Sequence, residues 1–180
     1  TATMTREFVR AVEAFPGTRI LDTRKTTPGL RLLEKYAVRC GGGENHRFGL
    51  FDEAMIKENH VALAGKPLAQ ALVDLRSTVG AETRITCEAE TEDEALAAIE
   101  GGADVVLLDN FEPADLGSVC QRLRTFAGEA GRRVELEASG GITLQTAAAF
   151  AASGVDRLSV GALTHSAPAL DLSLLLECAP

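Results

Sequence analysis

Short apolar runs and helix-period segments take turns along this chain, and in its second half the runs recur about every 20 to 25 residues. ITCEAE (85–90), DVVLLDN (104–110) and VELEASGGI (134–142) are each followed by a helical pattern, and DRLSVGALTH (156–165) is the last of the runs. That spacing leaves room for a crossover helix after each strand, so the strands must run parallel. The fold is then either a (β/α) barrel or an open doubly wound sheet. DVVLLDN, apolar without interruption until Asp109, has the pattern of a strand buried on both faces.

The first half fits the same scheme. A helix is expected over Thr3–Ala14, a strand over Arg19–Asp22 and a helix over Leu30–Arg39, with an apolar stripe at 30, 32, 33, 36, 37 and 40. Further on, a strand is expected over Met55–His60 and an amphipathic helix over Pro67–Val79. Helices are also expected from Glu92, with Thr91 as N-cap, and over 113–130 and 143–153. No linker or internal sequence repeat divides the chain, so residues 1–180 read as one domain. Trp is absent and aromatics are few, which leaves the core to Ala, Val, Leu and Ile.

Several function classes drop out on composition. No apolar run approaches a membrane span and no signal peptide is visible. Cys40, Cys87, Cys120 and Cys178 are scattered without a CxxC pair, as expected of a reducing cytoplasm and not of a zinc ribbon or disulfide framework. A net charge of −8 argues against nucleic acid as the main partner. Yet residues 20–57 carry seven Lys/Arg against five acids, while the remainder is strongly acidic. A locally basic segment in an acidic chain suits a small anionic ligand.

The candidate site residues cluster where parallel strands would end. Arg24 and Lys25 follow the first strand, pairing a planar fork with a point charge, a combination suited to carboxylate and phosphate together. CGGGENHRFG (40–49) is a glycine loop that delivers His46 and Arg47 to one place, and Lys57 adds a further cation. These cations would repel one another unless an anion sits among them. Glu88 and Asp109, near the ends of two successive strands, could hold magnesium or accept hydrogen bonds from sugar hydroxyls. Ser139, Gly140 and Gly141 after one strand and Gly161 after the next fall where a barrel places its phosphate loops. Together these describe a site for a phosphorylated sugar and an acidic partner.

ILDTRKTTPGLRLLEKYAVRCGGGENHRFGL, MIKENH, LLDNF, EASGGI and SVGALTHS closely resemble the quinolinate phosphoribosyltransferase family, essentially from end to end. The resemblance implies an incomplete (β/α) barrel that works as a homodimer or higher assembly. It implies transfer of phosphoribose from phosphoribosyl pyrophosphate to quinolinate, with magnesium and decarboxylation, giving nicotinate mononucleotide for NAD synthesis. Arg24, His46, Arg47 and Lys57 would hold the quinolinate carboxylates with Thr23 nearby, and Lys25 would lie at the phosphoribosyl pyrophosphate side. Glu88 and Asp109 would meet ribose hydroxyls and metal; Ser139, Gly140, Gly141, Gly161 and His165 would cradle the 5′-phosphate.

The chain departs from the family pattern in two places. Thr86 stands where an acid is frequent, and the chain opens in what matches the middle of a family helix. The N-terminal domain that normally covers the partner's site and lends it an arginine would then be missing, so little turnover is expected of this chain alone. Two other readings are a paralogue of the family found with molybdate transport genes and a barrel core that only binds phosphate. The wording of ENHRFGLFDEAMIKENH and LLDNF favours the quinolinate enzyme over the paralogue, whereas the missing N-terminal region keeps the binding-only core open for this chain.

Overall fold

The structure, a computed structural model, describes residues 1–177, so Cys178 lies outside the described residues. Its elements in chain order are α1 (Ala2–Ala11), β1 (Arg19–Leu21), α2 (Arg31–Cys40), β2 (Ala54–Ile56), α3 (Glu58–Ala64), α4 (Leu68–Val79) and β3 (Ile85–Ala89). There follow α5 (Glu92–Gly101), β4 (Val105–Asp109), α6 (Pro113–Glu129), β5 (Glu135–Ser139), α7 (Ala147–Ala152), β6 (Arg157–Ser159) and α8 (Ala162–His165). All six strands are parallel, in the order β1-β6-β5-β4-β3-β2. That is the cyclic order of a barrel left open between β1 and β2. The seam is partly covered by the glycine loop, where Glu44 forms a lone parallel bridge with Leu21.

Strand periodicity sorts the side chains into two layers. Ile20, Ile56, Cys87, Val106, Leu108, Leu136 and Leu158 point outward and join the apolar core with Leu72, Ile99, Leu116, Leu123 and Phe150 of the surrounding helices. Leu72, Leu116, Leu123 and Leu136 are fully buried, and each contributes about 1.5–3 kcal/mol by leaving water. The core is aliphatic, as the shortage of aromatics requires. Thr91 caps α5 in a reciprocal box: its hydroxyl accepts from Glu94 N at 3.2 Å while Glu94 Oε2 accepts from Thr91 N at 3.1 Å.

Four expectations are corrected. The apolar stripe of α2 faces outward: Leu32 is 70% and Tyr36 67% exposed, whereas Lys35 and Val38 are buried. Periodicity identifies a helix but not which face turns inward, and here a buried acid draws Lys35 to the inside. The strand expected over Met55–His60 stops at Ile56, and Asn59 and His60 belong to α3. His60 Nδ1 accepts from Lys57 N at 3.0 Å, capping α3 at the point where Lys57 leaves the strand. The segment 143–146 is a turn bound together by Thr143 and Thr146, which delays α7 to Ala147. The final strand ends at Ser159, and Gly161 and His165 flank and end the short α8.

Among the described residues the cysteines are free. Burial pushes the Cys87 thiol up to about 12 and the Cys120 thiol up to about 11, so both behave as small apolar side chains. No described helix is long and apolar enough to cross a membrane.

Candidate active site

The interior of the barrel is charged. Register places Thr86 and Glu88 of β3, Leu107 and Asp109 of β4, Glu135, Glu137 and Ser139 of β5, and Arg157 and Ser159 of β6 on the inward face. At the lower end Arg19, Arg84 and Arg157 converge on Glu135, with Arg19 Nη2 2.6 Å from Glu135 Oε1. Barrels of this kind are usually packed with branched apolar side chains at this level. An ion-pair plug takes that place here.

Above the plug lies a cavity of about 270 Å³ at the C-terminal ends of the strands. Nine of the residues singled out in the sequence line it: Thr23, Arg24 and Lys25 after β1, His46 and Arg47 from the glycine loop, Lys57 after β2, Glu88, Asp109 and Ser139. Gly140 and Gly141 border a neighbouring cavity of about 240 Å³ with Asn110 and Phe111. Gly161 and His165 line neither cavity and lie against each other, since a Cβ on Gly161 would fall 2.7 Å from His165 Nε2. Gly140 has φ +97, and a Cβ there would fall 2.2 Å from Asn110 Oδ1, so only glycine fits.

Two polar networks position the cations. Asp22, wholly buried at the end of β1, accepts from Lys35 Nζ at 2.7 Å, Asn45 Nδ2 at 2.6 Å and His46 N at 2.9 Å. Lys35 Nζ also donates to His46 O at 2.8 Å. The pair thus ties the loop ahead of Arg47 to the root of Arg24. Arg31 performs a similar task outside, donating to Thr26 Oγ1, Arg24 O and Phe48 O. The glycines allow this crossing: a Cβ on Gly43 would lie 2.7 Å from Thr5 Cγ2 and 3.0 Å from Val38 Cγ1. The GGG run is therefore a close-packed crossing and not a slack connector.

The electrostatics of the cavity are strained toward binding an anion. Burial, and then the neighbouring Arg24 charge, hold Arg47 below the usual arginine value, with Glu53 and Asp52 opposing. Arg24 Nε is buried and finds no hydrogen-bond partner among the described residues. Burial raises the Glu88 carboxyl, with Glu58 and Asp109 adding to it, although Lys57 forms an ion pair with Glu88 and opposes the rise. Asp109 is bonded to Asn110 Nδ2 at 2.9 Å. Among the described residues no group of three or more His, Cys, Asp or Glu could hold a metal. Glu88 and Asp109 could nevertheless supply the one or two carboxylates that magnesium takes from a protein when substrate phosphates complete its shell.

Four cavity residues were not anticipated: Glu137, Ser159, Met55 and Leu107. Glu137 is fully buried, with His46 Nε2 3.2 Å from its Oε1, Ser159 Oγ bonded to the same oxygen and Arg157 Nε 2.9 Å from its Oε2. The last is an ion contact without hydrogen-bond alignment. Burial would raise Glu137, but its contacts with His46, Arg157 and Ser159 outweigh that and keep the carboxyl below the usual value. Thr86, also fully buried, donates to Glu53 Oε1 at 2.6 Å.

Residues 1–175 match the family model described as "Quinolinate phosphoribosyl transferase, C-terminal domain". The chain belongs to that family. It is 49% identical over 173 residues to the probable nicotinate-nucleotide pyrophosphorylase [carboxylating] of Bacillus subtilis (strain 168), covering 96% of this chain and 57% of the relative. Against the nicotinate-nucleotide pyrophosphorylase [carboxylating] of Rattus norvegicus it is 43% identical over 157 residues, covering 87% and 51%. The solved nicotinate-nucleotide pyrophosphorylase from Francisella tularensis superposes with a TM-score of 0.82 at 43% identity, covering 91% of this chain and 55% of that one. The chain thus spans a little over half the length of these family relatives.

Proposed function

We propose that this chain forms the site for phosphoribosyl transfer from phosphoribosyl pyrophosphate to quinolinate, with loss of carbon dioxide to give nicotinate mononucleotide. The observation that carries the reading is one cavity in which Arg24, Lys25, Arg47 and Lys57 face Glu88 and Asp109, with Arg24 Nε buried and unpartnered among the described residues. A ligand with two adjacent carboxylates relieves the repulsion between Arg24 and Arg47. A ligand with hydroxyls and phosphate meets the acids and the Ser139–Gly141 loop.

In this reading Arg24, Arg47 and Lys57 hold the dicarboxylate, with Thr23 and His46 on the wall beside them. The pyridine nitrogen is thereby directed at the sugar C1 as pyrophosphate departs, so catalysis consists mainly of placement and charge. Lys25 neutralises the departing pyrophosphate, and Glu88 and Asp109 accept from ribose hydroxyls, which steadies the positive charge developing on the sugar. Ser139, Gly140 and Gly141 form the phosphate end, and by the family resemblance Gly161 and His165 belong to it from the turn after β6. Once the nitrogen carries ribose, the ring accepts the electron pair of the adjacent carbon–carboxylate bond; carbon dioxide leaves and that carbon takes a proton. Glu88 and Asp109 would hold magnesium, which when bound with substrate supplies charge neutralisation at the pyrophosphate. The full activity includes the region that relatives have and this chain does not span, with a homodimer, a partner arginine and a cytoplasmic setting as parts of the same reading.

The test is release of labelled carbon dioxide from carboxyl-labelled quinolinate with phosphoribosyl pyrophosphate and magnesium. It is run on this chain alone and on this chain mixed with the N-terminal domain of a relative. Release chiefly in the mixture is expected. No release in either, with both proteins folded, would overturn the reading in favour of the molybdate-associated paralogue or a binding-only barrel.

A further inference from the structure

We propose that Glu137 is a positioning residue that acts through the His46 ring to fix Arg47. Its kinetic consequence rests on the phosphoribosyl-transfer reading above, whereas its geometry stands without it. The first observation is that the His46 ring touches the protein through both of its nitrogens. Nδ1 accepts from Arg47 N at 2.7 Å, and Nε2 faces Glu137 Oε1 at 3.2 Å. A nitrogen that accepts a backbone N–H carries no proton, so the ring is neutral and its proton sits on Nε2.

The second observation concerns Glu137 itself. It sits on the inward face of β5 with no exposed surface. Oε1 receives His46 and Ser159, and Oε2 faces Arg157. A carboxylate so surrounded is not free to take a proton from substrate, although it lines the cavity wall. What it can do is select the His46 tautomer and hold the ring plane. The ring in turn holds Arg47 N, and the Arg47 guanidinium is fixed at its far end by Glu53 O at 3.2 Å and Met55 Sδ at 3.2 Å. The order of action is Arg157, Glu137, His46, Arg47. It extends from the ionic plug to the cation that faces the acid substrate, in the manner of a carboxylate that orients an imidazole from behind.

Two experiments on this chain read the relay without any activity. Long-range proton–nitrogen spectra at neutral pH should show His46 as the neutral Nε2–H tautomer; an Nδ1–H tautomer or an imidazolium would overturn the proposal. Glu137→Gln should then shift the Arg47 backbone amide resonance as the ring loosens, and an unmoved amide would sink it. If Glu137→Gln fails to fold, the His46 pair serves instead. His46→Asn keeps an acceptor near Nδ1 and should hold the Arg47 amide close to its native shift. His46→Gln keeps only a donor near Nε2 and should not, so the reverse ranking counts against the relay.

In the assembled enzyme, Glu137→Gln should lower kcat by about 10- to 100-fold, the range expected of a misplaced binding group. The quinolinate KM should rise as well, because Arg47 is the cation that holds that substrate, while the KM for phosphoribosyl pyrophosphate changes much less. Unchanged kcat per folded molecule would reduce Glu137 to a structural role. An inactive wild-type assembly with the expected tautomer would instead indict the functional reading and leave the relay standing.

Discussion

Glu137 and Arg157 stand directly opposite each other in the β5–β6 register and meet inside the barrel, Arg157 Nε 2.9 Å from Glu137 Oε2. Neither has meaningful access to water: Arg157 is 4% exposed and Glu137 not at all. A pair buried this deeply adds little net stability by existing, because desolvation offsets its attraction, but it is costly to break. Arg157→Met should therefore destabilise the fold by about 3–5 kcal/mol in urea unfolding. Replacing Glu137 as well with Leu should recover part of that loss, since the stranded charge is then gone. A single variant as stable as wild type would mean that water reaches the plug.

The same carboxylate sets an acid-side signature. Its folded value is depressed, so it contributes stability that is complete above the ordinary glutamate value. That contribution is lost as pH falls through the depressed folded value. Glu137→Gln should consequently be less stable than wild type at neutral pH, and the gap should close on acidification below the ordinary glutamate range. Paired thermal melts across that window check it. A gap that widens instead would give the shift the opposite sign.

Parallel strands, crossover helices and strand ends bearing chemistry were legible in the sequence because each is a local pattern. DVVLLD needed only its own apolar run to be placed, and β4 indeed spans Val105–Asp109. The orientation of α2 was not legible, because the inward pull on Lys35 comes from Asp22, which is 13 positions away in sequence and adjacent only after folding. Glu137 was missed for a related reason. Its partner Ser159 lies 22 positions on and Arg157 is brought opposite by strand register. A signal existed: charges at alternate positions of VELEA, and Arg157 in the next strand, mark one face of two neighbouring strands as ionic.

The glycine loop makes a packing prediction. Gly43→Ala puts a methyl group 2.7 Å from Thr5 Cγ2 and 3.1 Å from Ile20 O, where backbone and helix must yield. Overpacking of this kind costs about 1–3 kcal/mol. The change should also loosen the Glu44 bridge to Leu21 that partly covers the barrel seam. Gly17→Ala, with nothing within 4 Å of the added Cβ, is the control expected to stay near wild type. Equal unfolding curves for the two variants would show that α1 yields easily.

Asp109 ends β4 on the cavity wall, with Glu88 nearby on β3. Removing one of two carboxylates should raise the magnesium concentration needed for phosphoribosyl pyrophosphate binding while leaving quinolinate binding by the cations largely intact. Asp109→Asn keeps the shape and discards the charge. Titration calorimetry of phosphoribosyl pyrophosphate at graded magnesium reads the effect. Unaltered magnesium dependence would place the metal elsewhere.

Arg47 should separate the two substrates in the other direction. Its guanidinium is half buried, pushed down by burial and by Arg24, and braced by Glu53 O and Met55 Sδ, so it is held in place before any ligand arrives. A cation pre-set in this way spends little entropy on ordering when a carboxylate docks, so most of its attraction appears as affinity. Truncating one partner of such a charge pair costs about 2–5 kcal/mol, which is at least about 30-fold in dissociation constant. Arg47→Ala should weaken quinolinate by that factor or more while phosphoribosyl pyrophosphate changes by a few-fold at most. Calorimetry with each ligand alone makes the comparison. Equal weakening of both would move Arg47 from the acid side of the cavity to a general electrostatic role, and the division of labour between the cations and the Glu88–Asp109 wall would have to be redrawn.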